Sequence, residues 1–275
     1  MKYGFVFPGQ EATTAVALAR EAEAAGWDGF FVWDAVWATD PWVTLGAIAA
    51  VTERIRIGVI ITPVTRRRPW KLASETATVD RLSGGRLILA VGLGATDTGF
   101  TKFGEETDRK IRAERLDEGL DIITGLWKGL PFDYDGKHYH VKPEKLHLTC
   151  PPPVQQPRIP IWVVGAWPRM KSMRRVLRYD GLLPDVMEKK GGRLKRRATT
   201  PDDIRAMHAF VDERRTLTTP FDIVMEGETP GDDAEKATAI VQSWAEAGAT
   251  WWIEAKWGAP DDPVRTRIRQ GPPRF

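Results

Sequence analysis

The 275-residue chain is 42% hydrophobic, enough to bury the core of a single α/β domain of barrel size over 1–275. One cysteine, Cys150, excludes an intrachain disulfide framework and every multi-cysteine zinc pattern, and four histidines without HExxH spacing leave no basis for a metal site. The net charge of +3 is small, the basic runs at Lys189–Arg197 and Arg265–Arg274 lack interleaved aromatics, and no apolar run approaches the ~20 residues that span a bilayer, so neither a nucleic acid nor a membrane is expected as partner.

Taken in chain order, MKYGFVFPGQ enters a strand directly, as expected of a cytoplasmic protein. Eight strands are predicted, at Tyr3–Phe7, Gly29–Trp33, Ile55–Ile61, Leu87–Val91, Ile161–Val164, Gly181–Pro184, Phe221–Glu226 and Thr250–Glu254. The β-branched run Ile55–Ile61 and the similar Leu87–Val91 are too apolar to face water on one side, as in parallel strands buried on both faces. Helical spacing separates them at Thr13–Ala25, Pro41–Val51, Trp70–Leu82, Arg112–Trp127, Lys171–Tyr179, Pro201–Thr216, Asp233–Ala247 and Asp262–Arg269. Eight alternations predict a (β/α)₈ TIM barrel. One excursion interrupts them between strands four and five, where FDYDGKHYHV alternates around Asp135-Gly136, a β-hairpin signal, before a proline-rich connection.

In such a barrel, chemistry sits at the C-terminal strand ends. Asp34 follows strand two and can act as acid or base, or cap the next turn. Thr62 ends strand three, with Arg66 to Arg68 and Trp70 beyond it. Gly92-Leu93-Gly94 ends strand four; Asp97 stands where a dinucleotide fingerprint needs its third glycine, which disfavours an NAD-dependent dehydrogenase. After strand five, Gly165-Ala166-Trp167-Pro168-Arg169 leads into a helix whose N–H donors, with Arg169, suit a phosphate. Asp185 and Glu188 follow strand six. Glu226 and Glu254 end strands seven and eight, the latter near Lys256, and strand-end carboxylates of this kind serve catalysis or merely pair with neighbouring cations. Trp33, Trp37 and Trp257 stand among twelve tryptophans, large rings that suit a flat aromatic ligand or simple packing. His138, His140 and His147 fall in or after the hairpin, away from the strand ends.

Four segments together resemble one family. RIRIGVIITPVTRRRPWKLASETATVDRLSGGRLILAVGLG, FGEETDRKIRAERLDEGLDIITGLWKG, the FDYDGKHYHV hairpin and VVGAWPRMKSMRRVLRYDGLLP are similar to the bacterial luciferase-like flavin-dependent oxidoreductases. The resemblance implies a barrel that binds reduced FMN or the deazaflavin coenzyme F420 at its C-terminal mouth, its ring over strands two to four and its phosphate at Gly165 to Arg169. It also implies a monooxygenase or hydride-transferring enzyme acting on a small organic substrate, and barrels that often pair as homodimers. Asp34, Glu226 and Glu254 are then the candidate catalytic residues, Thr62, Trp70, Gly92, Gly94, Gly165, Ala166, Trp167 and Arg169 the cofactor contacts, and Trp33, Trp37 and Trp257 the substrate wall. Many relatives carry a histidine near the end of strand two, often directly after an acidic residue, whereas Asp34 here is followed by Ala35. That departure motivates the alternative of a barrel that binds a flavin or another small molecule without catalysis. The basic run at Lys189–Arg197 suits the anionic tail of F420, which tilts the expectation slightly from FMN toward F420.

Overall fold

The computed structural model describes residues 1–143, 146 and 148–274, so His147 lies outside the described residues. In chain order the strands are β1 (Lys2–Val6), β2 (Gly29–Val32), β3 (Arg56–Pro63), β4 (Leu87–Gly92), β5 (Tyr134–Asp135), β6 (His140–Val141), β7 (Ile161–Trp167), β8 (Gly181–Lys190), β9 (Arg193–Arg196), β10 (Asp222–Gly227) and β11 (Trp251–Ala255). Parallel pairing runs β10, β11, β1, β2, β3, β4, β7, β8, and a β8–β10 pairing closes the eight into a barrel. Around it lie α1 (Ala12–Ala24), α2 (Pro41–Val51), α3 (Pro69–Leu82), α4 (Arg109–Trp127), α5 (Met170–Val176), α6 (Pro201–Arg214), α7 (Ala234–Glu246) and α8 (Asp261–Arg269). The predicted insertion is the two-stranded β5–β6 hairpin between β4 and β7. No helix among the described residues is long and apolar enough to cross a membrane.

Alternation along each strand splits the apolar residues into two layers. Leu87, Leu89 and Val91 of β4 face the helices, whereas Ile88 and Ala90 face the lumen with Val6, Phe31, Ile60, Trp162, Val224, Trp251, Ile253 and Ala255. The lumen is filled by three large rings: Trp162 and Trp251 meet edge to face at 5.2 Å, with Phe31 at 5.7 and 6.1 Å from them. Glycine makes room for these rings, since a Cβ on Gly29 would lie 2.7 Å from Phe31 and one on Gly181 only 2.3 Å from Trp162. Two of the twelve tryptophans are therefore barrel filling, and Trp27, Trp42, Trp127 and Trp252 are buried in the outer layer.

The segments that carry the family resemblance are interlocks between elements. In DRLSGGR, the fully buried Asp80 accepts from the Val154 and Gln155 backbone N–H groups and from the Gln155 amide. Arg86 donates to the carbonyls of Ala49, Thr52, Ile55 and Ser83 and to the Thr52 hydroxyl, tying the end of α2 to the start of β4. In ERLDEGL on α4, the Glu118 carboxylate accepts from the N–H groups of Lys137, His138 and Tyr139, the tip of the GKHY hairpin. Trp127 of the LW pair donates to the Ala73 carbonyl and the Thr76 hydroxyl of α3. Replacing Glu118 by Ala removes the acceptor of three amides, so the hairpin should loosen at a cost of about 1–3 kcal/mol. Limited proteolysis is expected to show new cleavage after Lys137; an unchanged digestion pattern would show that α4 does not hold the hairpin.

The basic run Lys189–Arg197 belongs largely to a hairpin. β8 does not stop at Pro184 but continues to Lys190 and turns back as β9, with Met187 opposite Arg196 and Lys189 opposite Leu194. The turn is Gly191-Gly192, both at positive φ, as a two-residue hairpin turn requires. Arg197 anchors its foot, bonding both Asp203 oxygens at 2.6 and 2.7 Å, and Asp203 in turn completes the capping box of α6 with Thr200.

Candidate active site

At the C-terminal ends of the strands the lumen side chains change character. On the β3–β4–β7 side they are apolar: Ile60 and Ile61 pack with the inner cluster, and Ile61 and Val164 converge on Gly92. The β3 register steps by one residue between Val59 and Thr62, and this bulge brings the adjacent Ile60 and Ile61 both toward the lumen. Beyond this wall, on β8 and β10, stand two carboxylates. Val224 faces the lumen, so Glu226 two residues later does too; Asp185, opposite the lumen-facing Ala166 of β7, is the second.

Glu226 lies in a small polar and aromatic cluster. Its Oε1 accepts from the Trp257 indole N–H at 2.7 Å, Trp257 meets Trp33 edge to face at 6.0 Å, and Trp33 donates to the Pro8 carbonyl. Burial among surrounding protein raises the Glu226 pKa above the ordinary carboxylate value, while the Trp257 hydrogen bond and the Arg196 charge oppose the shift. The side chain nevertheless stays open to solvent at the mouth. Asp185 pairs with Arg196 of β9 at 2.6 Å. An apolar wall facing a carboxylate of raised pKa can seat a flat ring and move a proton beside it.

Residues 2–251 match the family described as luciferase-like monooxygenase. The chain belongs to that family. Among relatives, it is 34% identical over 158 residues to the F420-dependent glucose-6-phosphate dehydrogenase of Microbacterium testaceum, a match covering 54% of this chain and 45% of the relative. Its fold resembles the F420-dependent tetrahydromethanopterin reductase of Methanopyrus kandleri, with 18% identity, a TM-score of 0.76 and coverage of 98% and 96% of the two chains. It also resembles the oxygenating constituent of 3,6-diketocamphane monooxygenase from Pseudomonas putida, solved with FMN, with 21% identity, a TM-score of 0.65 and coverage of 88% and 71%.

In this luciferase-like barrel the predicted residues divide. Trp33, Trp257, Glu226, Gly92 and Ala166 come together around the mouth. Glu254 does not: Ile253 and Ala255 face the lumen, so Glu254 points into the helix layer, fully buried. There it accepts from the Thr229 N–H and hydroxyl at 2.8 and 2.6 Å and from Trp252, with Arg267 alongside at 3.5 Å. Thr62 is turned the same way by the bulge, opposite the outward Val91, and its buried hydroxyl has no partner among the described residues. Asp34 is no free acid or base. Its carboxylate is 2% exposed and pairs with Arg66 at 2.5 Å and Arg67 at 3.3 Å, in a network that continues to Asp40 and Glu75.

The remaining predicted contacts lie around the rim. Gly94, at φ +78°, packs against Pro63 and Phe100 in a loop that Arg112 of α4 holds through the Leu93 and Gly94 carbonyls. Trp70 packs edge-on against Tyr139 of the hairpin, and Trp37, 85% exposed, stacks on Phe103. Gly165 faces α5, where a Cβ would meet Leu182 and Met173, and Trp167 packs on Phe210 of α6. The Ala166 N–H is taken by the Ser172 hydroxyl, but the first turn of α5 has no side-chain cap and Arg169 makes no ion pair among the described residues. Arg196 and Asp185 are the site residues that sequence reasoning left out of its catalytic and binding set. The period-two pattern from Leu183 through Asp185 and Met187 was the available signal for Asp185.

Proposed function

We propose that this chain is an oxidoreductase that exchanges a hydride with a small organic substrate at the barrel mouth, using F420 in preference to FMN. The observation that carries this reading is Glu226, the lumen-facing carboxylate with raised pKa, set across the mouth from the apolar wall at Ile61, Gly92 and Val164. The residues present fit the cofactor: the wall suits a flat ring, and Arg169 with the uncapped first turn of α5 suits its phosphate. When bound, the cofactor supplies the redox chemistry. The chain supplies the rest. Ile61 and Val164 orient the ring, Trp33 and Trp257 exclude water, and Glu226 holds or takes the substrate proton at the oxygen not engaged by Trp257.

Two observations favour the deazaflavin. The Microbacterium testaceum relative, 34% identical over 158 residues, is named an F420-dependent dehydrogenase. The β8–β9 hairpin also raises more cationic side chains at the rim than the single phosphate of FMN needs. The test is anaerobic incubation of the protein with oxidised F420 and a panel of alcohols, following the deazaflavin absorbance, beside reduced FMN with oxygen and a panel of ketones. Reduction of F420 by at least one alcohol class is expected. Oxygenation of a ketone with FMN alone would reassign the cofactor, and the absence of both F420 reduction and ketone conversion would overturn the enzymatic reading.

A further inference from the structure

The β8–β9 hairpin has two unlike faces. Pairing with β7 ends at Val186, so β8 continues for four residues, Met187–Lys190, paired with β9, a projection of roughly 13 Å past the rim. Alternation continues the lumen-facing series Leu183, Asp185, Met187, Lys189, and the antiparallel register adds Arg196 opposite Met187 and Leu194 opposite Lys189. The inner face is therefore Asp185, Met187, Leu194, Lys189 and Arg196, while Glu188 and Lys195 pair on the outer face. Extending the β8–β10 register from Asp222 opposite Gly181 places Glu226 level with Asp185.

Arg196 pairs with Asp185, and its charge reaches Glu226. Its Nε donates to Asp185 at 2.6 Å, which fixes the guanidinium, and its two Nη groups make no hydrogen bond among the described residues. The side chain is 76% exposed. A guanidinium held by one edge and open at the other is arranged to take a carboxylate or phosphate oxygen pair. Met187 and Leu194 give the same face an apolar surface for the body of a ligand.

We propose that Arg196 is a substrate-positioning residue that binds an anionic group of the substrate, so that the substrate class is a hydroxy acid or phosphorylated alcohol whose reacting carbon lies over Glu226. This rests on the oxidoreductase reading of the same mouth. The anion it recognises could come from the substrate or from the tail of the cofactor, and the two sources are separable by experiment.

Binding of lactate, mandelate, 4-hydroxybutyrate, 6-hydroxyhexanoate and glycerol 3-phosphate is measured by calorimetry without cofactor, each carboxylate beside its amide and the phosphate beside glycerol. At least one anion should bind the wild-type protein about tenfold more tightly than its neutral partner, the scale of a charge-assisted pair. Arg196→Gln should abolish that preference, and Lys195→Gln on the outer face should keep it. Equal binding of anion and neutral partner across the panel, or equal loss in both variants, would overturn the proposal. In a second arm, F420 and its deazaflavin core lacking phosphate and tail are titrated into wild type and Arg196→Gln. Unchanged affinities are expected; a selective loss for F420 would assign the anion to the cofactor and overturn the substrate assignment. Failure of wild type to bind F420, with anion preference intact, would remove the cofactor reading alone.

Discussion

Glu226→Gln is expected to lower kcat by about 10²–10⁴-fold with the fold retained, the range set by a positioned general acid or base. Parity along β10 puts this carboxylate in the lumen, across the mouth from the wall of Ile61, Gly92 and Val164, and Asp185 is already paired with Arg196, which leaves Glu226 as the carboxylate to handle a proton. Glutamine keeps the volume and can still accept from the Trp257 N–H, so folding should be spared while proton transfer is lost. The pH dependence has a definite sign. Alcohol oxidation needs Glu226 ionised, and burial raises its pKa, so kcat should fall as pH drops through a value above the ordinary carboxylate range. Trp257→Phe removes the hydrogen bond that opposes this shift and should move the acid limb to higher pH. A pH profile of kcat for the three proteins checks both statements; full activity in Glu226→Gln would remove Glu226 from the chemistry.

The second large effect is on stability. Glu254→Ala should destabilise the barrel by about 3–5 kcal/mol, because it leaves the buried Arg267 guanidinium without its carboxylate and strips the Thr229 N–H and hydroxyl of their acceptor. Arg267 keeps its bonds to the Thr229 and Gly271 carbonyls, which satisfy hydrogen bonding but not charge. In a chain of this size the loss corresponds to a fall in Tm on the order of 10 °C. Thermal and denaturant unfolding measure it. Below the variant's transition, the KM and the acid limb of the pH profile should match wild type, since Glu254 faces away from the lumen. A shifted pH limb with unchanged Tm would return Glu254 to the mouth.

The two glutamates show what sequence reasoning could and could not reach. Both end a predicted strand, and nothing in the sequence around either says which layer its side chain enters. When both faces of a strand are buried, its pattern is continuous rather than alternating, so it announces a strand without saying which residues point inward. The eight strands and the helices between them were legible for that reason, and so was the hairpin, from Asp135-Gly136. Side-chain direction was not. A bulge in β3 carries Thr62 to the outer layer, and a one-residue shift reverses every later side chain. The end of β8 was missed because Pro184 and the charges after it break the apolar run, while the strand continues by pairing with β9 beyond the barrel. Asp34 was placed correctly at a strand end, but the sequence gives no sign that two arginines thirty-two and thirty-three residues later close over it.

The segments that identify the family were the most legible and the least chemical. Asp80, Arg86, Glu118 and Trp127 join α2, α3, α4, the hairpin and the start of β4, and none of them reaches the mouth. They specify the scaffold, while the places of Glu226, Asp185 and Arg196 at the mouth depend on strand parity.

Titration of the purified protein with F420 and with FMN, following quenching of tryptophan fluorescence, tests the cofactor seat most directly. Trp33 and Trp257 stand beside it, so saturable quenching by F420, at lower concentrations than FMN requires, is the expected result. Absence of saturable binding by either cofactor would contradict a flavin-type seat at this barrel mouth.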